Sequence, residues 1–279
     1  MILPALVTML AQVGPNPAIQ PSMDVPPELI EQRRRAAEAQ DTPRTEDSRL
    51  VSCLRLASGD PVAGLEGAET WLATARGTDA AHAGHCKGLA LVRLGRFGEA
   101  QLVFASAREA AREEQLTYRA RLAAMGGNAA MAAGDPQAAL VPFANAIEDA
   151  RAAQDMQLAG SLEADSARAF VALQRPEDAM AALDRARQAD PGSARNWLLS
   201  ATLSRRLERL GNAQTQIERA AELDPRDPAI GLEAGVIAAL AGRDEDARRS
   251  FEAVLLVAPE SEEAERARGY LEQLGPAAE

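Results

Sequence analysis

The two histidines of this 279-residue chain, His82 and His85, stand one helical turn apart, with Cys86 beside them. On a helix that spacing turns the side chains toward one face, the way a divalent transition metal is grasped. Closing such a site takes further ligands, and no other His or Cys lies nearby in sequence. The run also sits on an amphipathic segment, so the histidines read as polar residues at one end of a groove and no metal site is expected. Nucleophilic chemistry finds no support: there is no G-x-S-x-G elbow, and neither Cys53 nor Cys86 sits in a catalytic signature. Carboxylates fall beside arginines at helical spacing, as in Glu245 with Arg249 and Glu218 and Glu222 around Arg219. Those read as solvated ion pairs on helix exteriors, worth little each. No Lys follows Gly126–Gly127, so that pair reads as close packing rather than a phosphate cradle. The sequence predicts neither an enzyme nor a cofactor.

What positions these residues is a beat of small side chains. Ala179, Ala213 and Ala247 are 34 residues apart, and so are Pro191, Pro225 and Pro259. Self-similarity at this period marks paired helices that bury their apolar faces only against neighbouring pairs. Aromatics make up 3% of the chain, too few to fill one large globular core, whereas thin stacked layers need few. In the clearest unit, His82 to Ala107, Gly88 allows close approach and Gly95 ends the first helix. Ala100, Phe104 and Ala107 then stripe the second. The next unit repeats this with Gly127, Gly134, Ala139, Phe143 and Ala146, and starts its second helix at Asp135–Pro136. A third, Ser161 to Pro191, has Ala167 and Gln174 for the glycines and keeps Ala179, Leu183 and Ala186. A fourth brings Trp197, Ala213, Ile217, Ala220 and the ending Glu222–Pro225; a fifth restores Gly235 and Gly242 with Ala247 and Phe251.

This pattern resembles the tetratricopeptide repeat. The resemblance covers Ser48 to Gly275 and implies an all-α fold, a right-handed α-solenoid closed by a C-terminal capping helix. Organised so, residues 46–78 form a degenerate repeat, in which Gly59 ends one helix and Asp60–Pro61 starts the next. Repeats follow over about 79–117, 118–157, 158–191, 192–225 and 226–259, with the capping helix at 260–275. The first intervals exceed 34 residues, 39 from Ala100 to Ala139 and 40 from Ala139 to Ala179, and the helix-forming extra residues predict longer second helices.

In the family, first helices line a concave groove. Aligning the units on their alanines gives one first-helix row of His82, Arg121, Ser161, Arg195 and Ala229. A second row holds Leu89, Asn128, Arg168, Thr202 and Val236, with Arg205 and Arg206 further along the fourth unit. The strip is basic and polar in a chain of net charge −11. His82, Arg121, Asn128, Arg168, Arg195 and Arg205 are therefore the groove candidates, suited to carboxylates because a guanidinium holds them in bidentate fashion. Some tetratricopeptide domains clamp acidic C-terminal peptides this way, but Ala124 stands where that clamp would place a lysine. The expected role is a non-catalytic scaffold or adaptor for an extended peptide or partner helix. The alternative is an accessory subunit of an envelope enzyme, assembly or secretion complex, held by its convex face or ends. Protein or peptide partners are expected, with acidic or C-terminal carboxylate groups among them. Nucleic acid is not, because no Lys/Arg tract is interleaved with aromatics.

Residues 1–19 open with an apolar leader, MILPALVTMLAQV, too short to span a bilayer but long enough for a signal-peptide core. No Lys or Arg precedes Arg33, and no clean A-x-A site follows. Over 20–45 comes a linker with a short helix, and Pro15, Pro17, Pro21, Pro26 and Pro27 hold this region extended. Export to the periplasm is the expectation, with a cytoplasmic protein as the alternative. Cys53 and Cys86 lie on first helices of neighbouring units; they form one bridge in an oxidising compartment, or stay two buried thiols.

Overall fold

Small residues at repeat intervals let helices meet at backbone distance, and the chain uses them to pair each helix with the next. The computed structural model describes Glu31 and residues 45–275. The expected leader over 1–19 and, apart from a helical Glu31, the linker before residue 45 lie outside the described residues. Residues 1–45 and 46–279 form two separate units.

Among the described residues there are thirteen α-helices and no strand: α1 Thr45–Gly59, α2 Pro61–Leu72, α3 Gly77–Arg93, α4 Phe97–Ala110, α5 Leu116–Ala132, α6 Pro136–Ala152, α7 Met156–Ala172, α8 Pro176–Ala189, α9 Ala194–Arg206, α10 Leu210–Leu223, α11 Pro228–Leu240, α12 Asp244–Val257 and α13 Glu262–Leu274. Local signals set the starts. Carboxylates of Asp60, Asp135 and Asp155 accept from the amides of Ala63, Ala138 and Leu158 at 2.9–3.1 Å, satisfying donors that a helix start leaves open. Gly95, Gly134 and Gly242 take φ of +71° to +78° after α3, α5 and α11, a left-handed turn that glycine enters without strain. After α7 and α9 the equivalent positions, Gln174 and Glu208, take φ of +58° and +59° without that freedom.

Each odd-numbered helix from α3 to α11 packs against the helix after it, and each pair stacks on the next. The first helix α9 also touches α7 and α11, whereas successive second helices pack less closely on one another. The first-helix side is therefore the inner one. Phe104, Phe143 and Phe251 are buried within their pairs, with Leu183 and Ile217 in the same place in the other two. Tyr270 of α13 stacks on Phe251 at 5.2 Å, so α13 closes the last apolar face. At the other end Cys53 of α1 and Cys86 of α3 are joined by a disulfide, with Cα atoms 5.9 Å apart.

The extra residues of the early units lengthen chiefly the first helices, not the second ones expected. Helices α3, α5 and α7 have 17 residues against 13 in α9 and α11, while α4 has the same 14 as α8, α10 and α12. Only α6, with 17, is a lengthened second helix. Helix-forming composition alone does not tell which member of a pair carries an added turn.

Candidate functional site

The inner face of α5, α7 and α9 carries a polar row ending in an apolar cavity. Arg168 of α7 donates to Asn128 Oδ1 of α5 at 3.3 Å and to Asp165 Oδ1 of its own helix at 2.8 Å. Arg168 thus bridges two units while staying half exposed. Beside it, a cavity of about 170 Å³ is walled by Ala164, Ala167, Val171, Leu183, Leu199 and Leu203, with Arg168, Thr202 and Arg206 at its polar edge. Its lining is apolar because α7, α8 and α9 meet there through small and aliphatic residues. Arg206 is exposed and has no ion-pair partner among the described residues. The cavity has the apolar lining that suits an aliphatic side chain, and the guanidiniums at its edge are of the kind that holds carboxylates.

The other expected groove residues divide. Arg121 and Arg195 are exposed and have no ion-pair partner among the described residues. They stand seven residues before Asn128 and Thr202, about 10 Å down the same helix face. Arg205 is committed elsewhere: its Nε and Nη2 donate to both oxygens of Glu233 at 2.6 and 3.2 Å. His82 is 6% exposed and meets Tyr118 edge-on, so it lies between α3 and α5 rather than on the groove surface. Its Nδ1 has no hydrogen-bond partner among the described residues.

His85 Nδ1 lies 3.3 Å from the Tyr118 hydroxyl. Burial, and then the neighbouring His82, hold His85 down from its ordinary 6.5 to about 4. Burial likewise pushes the Tyr118 phenol above its usual range. With His82 buried, His85 facing Tyr118 and Cys86 in a disulfide, the His-x-x-His-Cys run presents no open ligand face. No group of three or more His, Cys, Asp or Glu among the described residues is placed to hold a metal ion.

Sequence reasoning passed over the acids that occupy the groove, Asp165 and Glu233. With Leu199 they form a row of period 34, the signal that marks them. It also read the carboxylates as uniformly solvated, yet Asp149 and Glu163 are buried between units. Asp149 lies 2.7 Å from Arg108 Nε, and Glu163 is held by Arg151 at 2.8 Å and Arg185 at 2.9 Å. These join successive helix pairs, and a buried carboxylate requires such partners. Other pairs, Arg249 with Asp246 and Arg219 with Glu222, are exterior.

Helix pairs, glycine turns, an inner first-helix face and a terminal capping helix together define an all-α solenoid with the fold of the tetratricopeptide-repeat proteins. Solved structures agree. PilF of Pseudomonas aeruginosa matches with a TM-score of 0.58 and 12% identity, covering 82% of this chain and 100% of its own. BtubC of P. vanneervenii matches at 0.56 and 15% identity, covering 84% and 92%. MamA of Desulfovibrio magneticus RS-1 matches at 0.52 and 17% identity, covering 65% and 97%. At these identities the likeness is one of fold. No protein-family model matches the chain, and no curated protein matches it in sequence.

Proposed function

We propose that this protein is a non-catalytic scaffold whose inner groove holds an extended peptide bearing an aliphatic side chain and, beside it, a carboxylate. The observation that carries this reading is the apolar cavity edged by Arg206, an exposed guanidinium with no ion-pair partner among the described residues. Proteins of this fold are typically interaction scaffolds, which supports the general part. Burying one leucine side chain there contributes about 2 kcal/mol, enough for selection but not for tight binding alone. A carboxylate on Arg206 adds less than about 1 kcal/mol while exposed and about 1.5–3 kcal/mol once desolvated. Contacts along Arg121, Asn128 and Arg195 would supply the rest. We further propose export to the periplasm, which the Cys53–Cys86 bridge supports, since such bonds persist in oxidising compartments.

Methyl NMR titration with an acidic peptide carrying a single leucine tests the groove. The expected result is shifts concentrated at Val171, Leu199 and Leu203. Shifts confined to methyls outside the inner face, or none at saturating peptide, would overturn it.

A further inference from the structure

The outer side of the solenoid carries a second surface, independent of the groove. Where two successive second helices flank a first helix, a cleft opens, and it does so at equivalent places in the units of α4, α6 and α12. The first, about 370 Å³, has Leu102 at its rim; the second, about 320 Å³, has Val141; the last, about 440 Å³, has Arg249. The chemistry changes along the row. At the last cleft the rim arginine pairs with Asp246, and Glu218 faces it from α10. At the second, Ala105 of α4 stands in place of that glutamate.

Helices α4 and α6 present the same outward pattern, Gly98–Leu102–Ala105–Glu109 and Gln137–Val141–Ala144–Glu148, all exposed. Leu102 is 68% and Val141 67% exposed, although each unit already buries its own core. By contrast, α10 turns Gly211, Thr215, Glu218 and Glu222 outward, and α12 turns Glu245, Arg249, Glu252 and, at the place of Glu109 and Glu148, the apolar Leu256. Among these four helices, an apolar rim residue followed two turns on by an acid, Leu102 with Glu109 and Val141 with Glu148, occurs only in α4 and α6.

Its charge has one sign. Around it, Arg108 is taken by Asp149, Lys87 by Glu69 and Arg96 by Glu99. Glu109 and Glu148, one at the same end of each helix, have no ion-pair partner among the described residues. We infer that the outer face of α4 and α6 docks a basic amphipathic helix of another protein. Its aliphatic side chains enter the clefts beside Leu102 and Val141, and its Lys or Arg residues meet Glu109 and Glu148. Apolar fit supplies the affinity; the unpaired acids select a basic partner over an acidic one.

The test uses a fluorescent Leu/Lys peptide of about five helical turns, leucines on one face, and its Leu/Glu counterpart. The full chain should bind the first and not the second. Leu102→Gln with Val141→Gln should weaken binding about tenfold or more, and Glu109→Gln with Glu148→Gln severalfold. Glu218→Gln with Glu222→Gln on α10, or Arg206→Ala in the groove, should leave it unchanged. These positions are exposed, so circular dichroism should report native helix content and melting in every variant. Equal binding of both peptides would reduce the effect to unselective apolar contact, and equal losses from the α10 variant would reduce it to the chain's overall negative charge; either overturns the inference. Dimers in sedimentation that Leu102→Gln with Val141→Gln dissolves would assign the face to a second copy and overturn it as well.

Discussion

Phe104 lies across Gly88 so closely that a Cβ built at residue 88 would stand 2.5 Å from the ring's Cε1. Phe143 covers Gly127 and Phe251 covers Gly235 in the same way. In the units that have alanine at this place, Ala167 and Ala201, the opposing residues are the smaller Leu183 and Ile217. Each pair of helices therefore keeps its combined volume at the crossing nearly constant, as a close-packed interior requires.

From this follows a double-mutant result. Gly88→Ala should lower unfolding free energy by overpacking, about 1–3 kcal/mol, less up to about 1 kcal/mol recovered through alanine's helix propensity. Combined with Phe104→Leu it recreates the Ala167–Leu183 arrangement, and urea denaturation should reveal a favourable coupling of about 1 kcal/mol or more. Strictly additive losses would count against the complementarity.

The turn residues give a second expectation. Gln174 and Glu208 hold φ near +58° where the neighbouring units place glycine. Replacing either with glycine should raise stability by roughly 0.5–1 kcal/mol, and Gly134→Ala should lower it similarly. Chemical denaturation curves of the three variants check the opposite signs.

The Cys53–Cys86 bridge closes a loop of 33 residues between α1 and α3. Losing it should cost about 2–4 kcal/mol through the freer unfolded chain. Reductant should lower the melting temperature of the wild type and leave a Cys53→Ser, Cys86→Ser protein unaffected. Two thiols titrating in unreduced protein from its native host would contradict both the bridge and the proposed oxidising compartment.

Stability should also depend on pH through His85. Burial holds it at about 4 in the folded chain against 6.5 when unfolded, so between those values the unfolded state binds more protons. This contribution is full above pH 6.5, diminishes as pH falls, and levels off below about 4. His85→Gln should flatten the denaturation midpoint across that window relative to wild type. An unchanged slope would place the titration elsewhere.

Much of the architecture was legible because it is written locally. Gly95, the Asp135–Pro136 start and the closing prolines each act within one turn, and the terminal helix Glu262–Leu274 emerged from the same signals. Contacts between units were less legible. Whether Arg205 faces a ligand or Glu233 depends on how one helix pair is rotated on the next, and the arginine alone does not say. The burial of His82 likewise follows from Tyr118 in the following unit, beyond the reach of its own helix periodicity. Asp149 and Glu163 look in sequence like any surface acid, and only the stacking of units removes them from water.

The groove is tested most directly by calorimetric titration of an acidic, single-leucine peptide into wild type, Arg206→Ala and Arg168→Ala with Arg195→Ala. Binding is predicted to weaken severalfold or more in both variants and to fall with salt, since exposed attraction is screened within about 10 Å at about 0.1 M. Equal affinity of all three proteins at every salt concentration would contradict the groove.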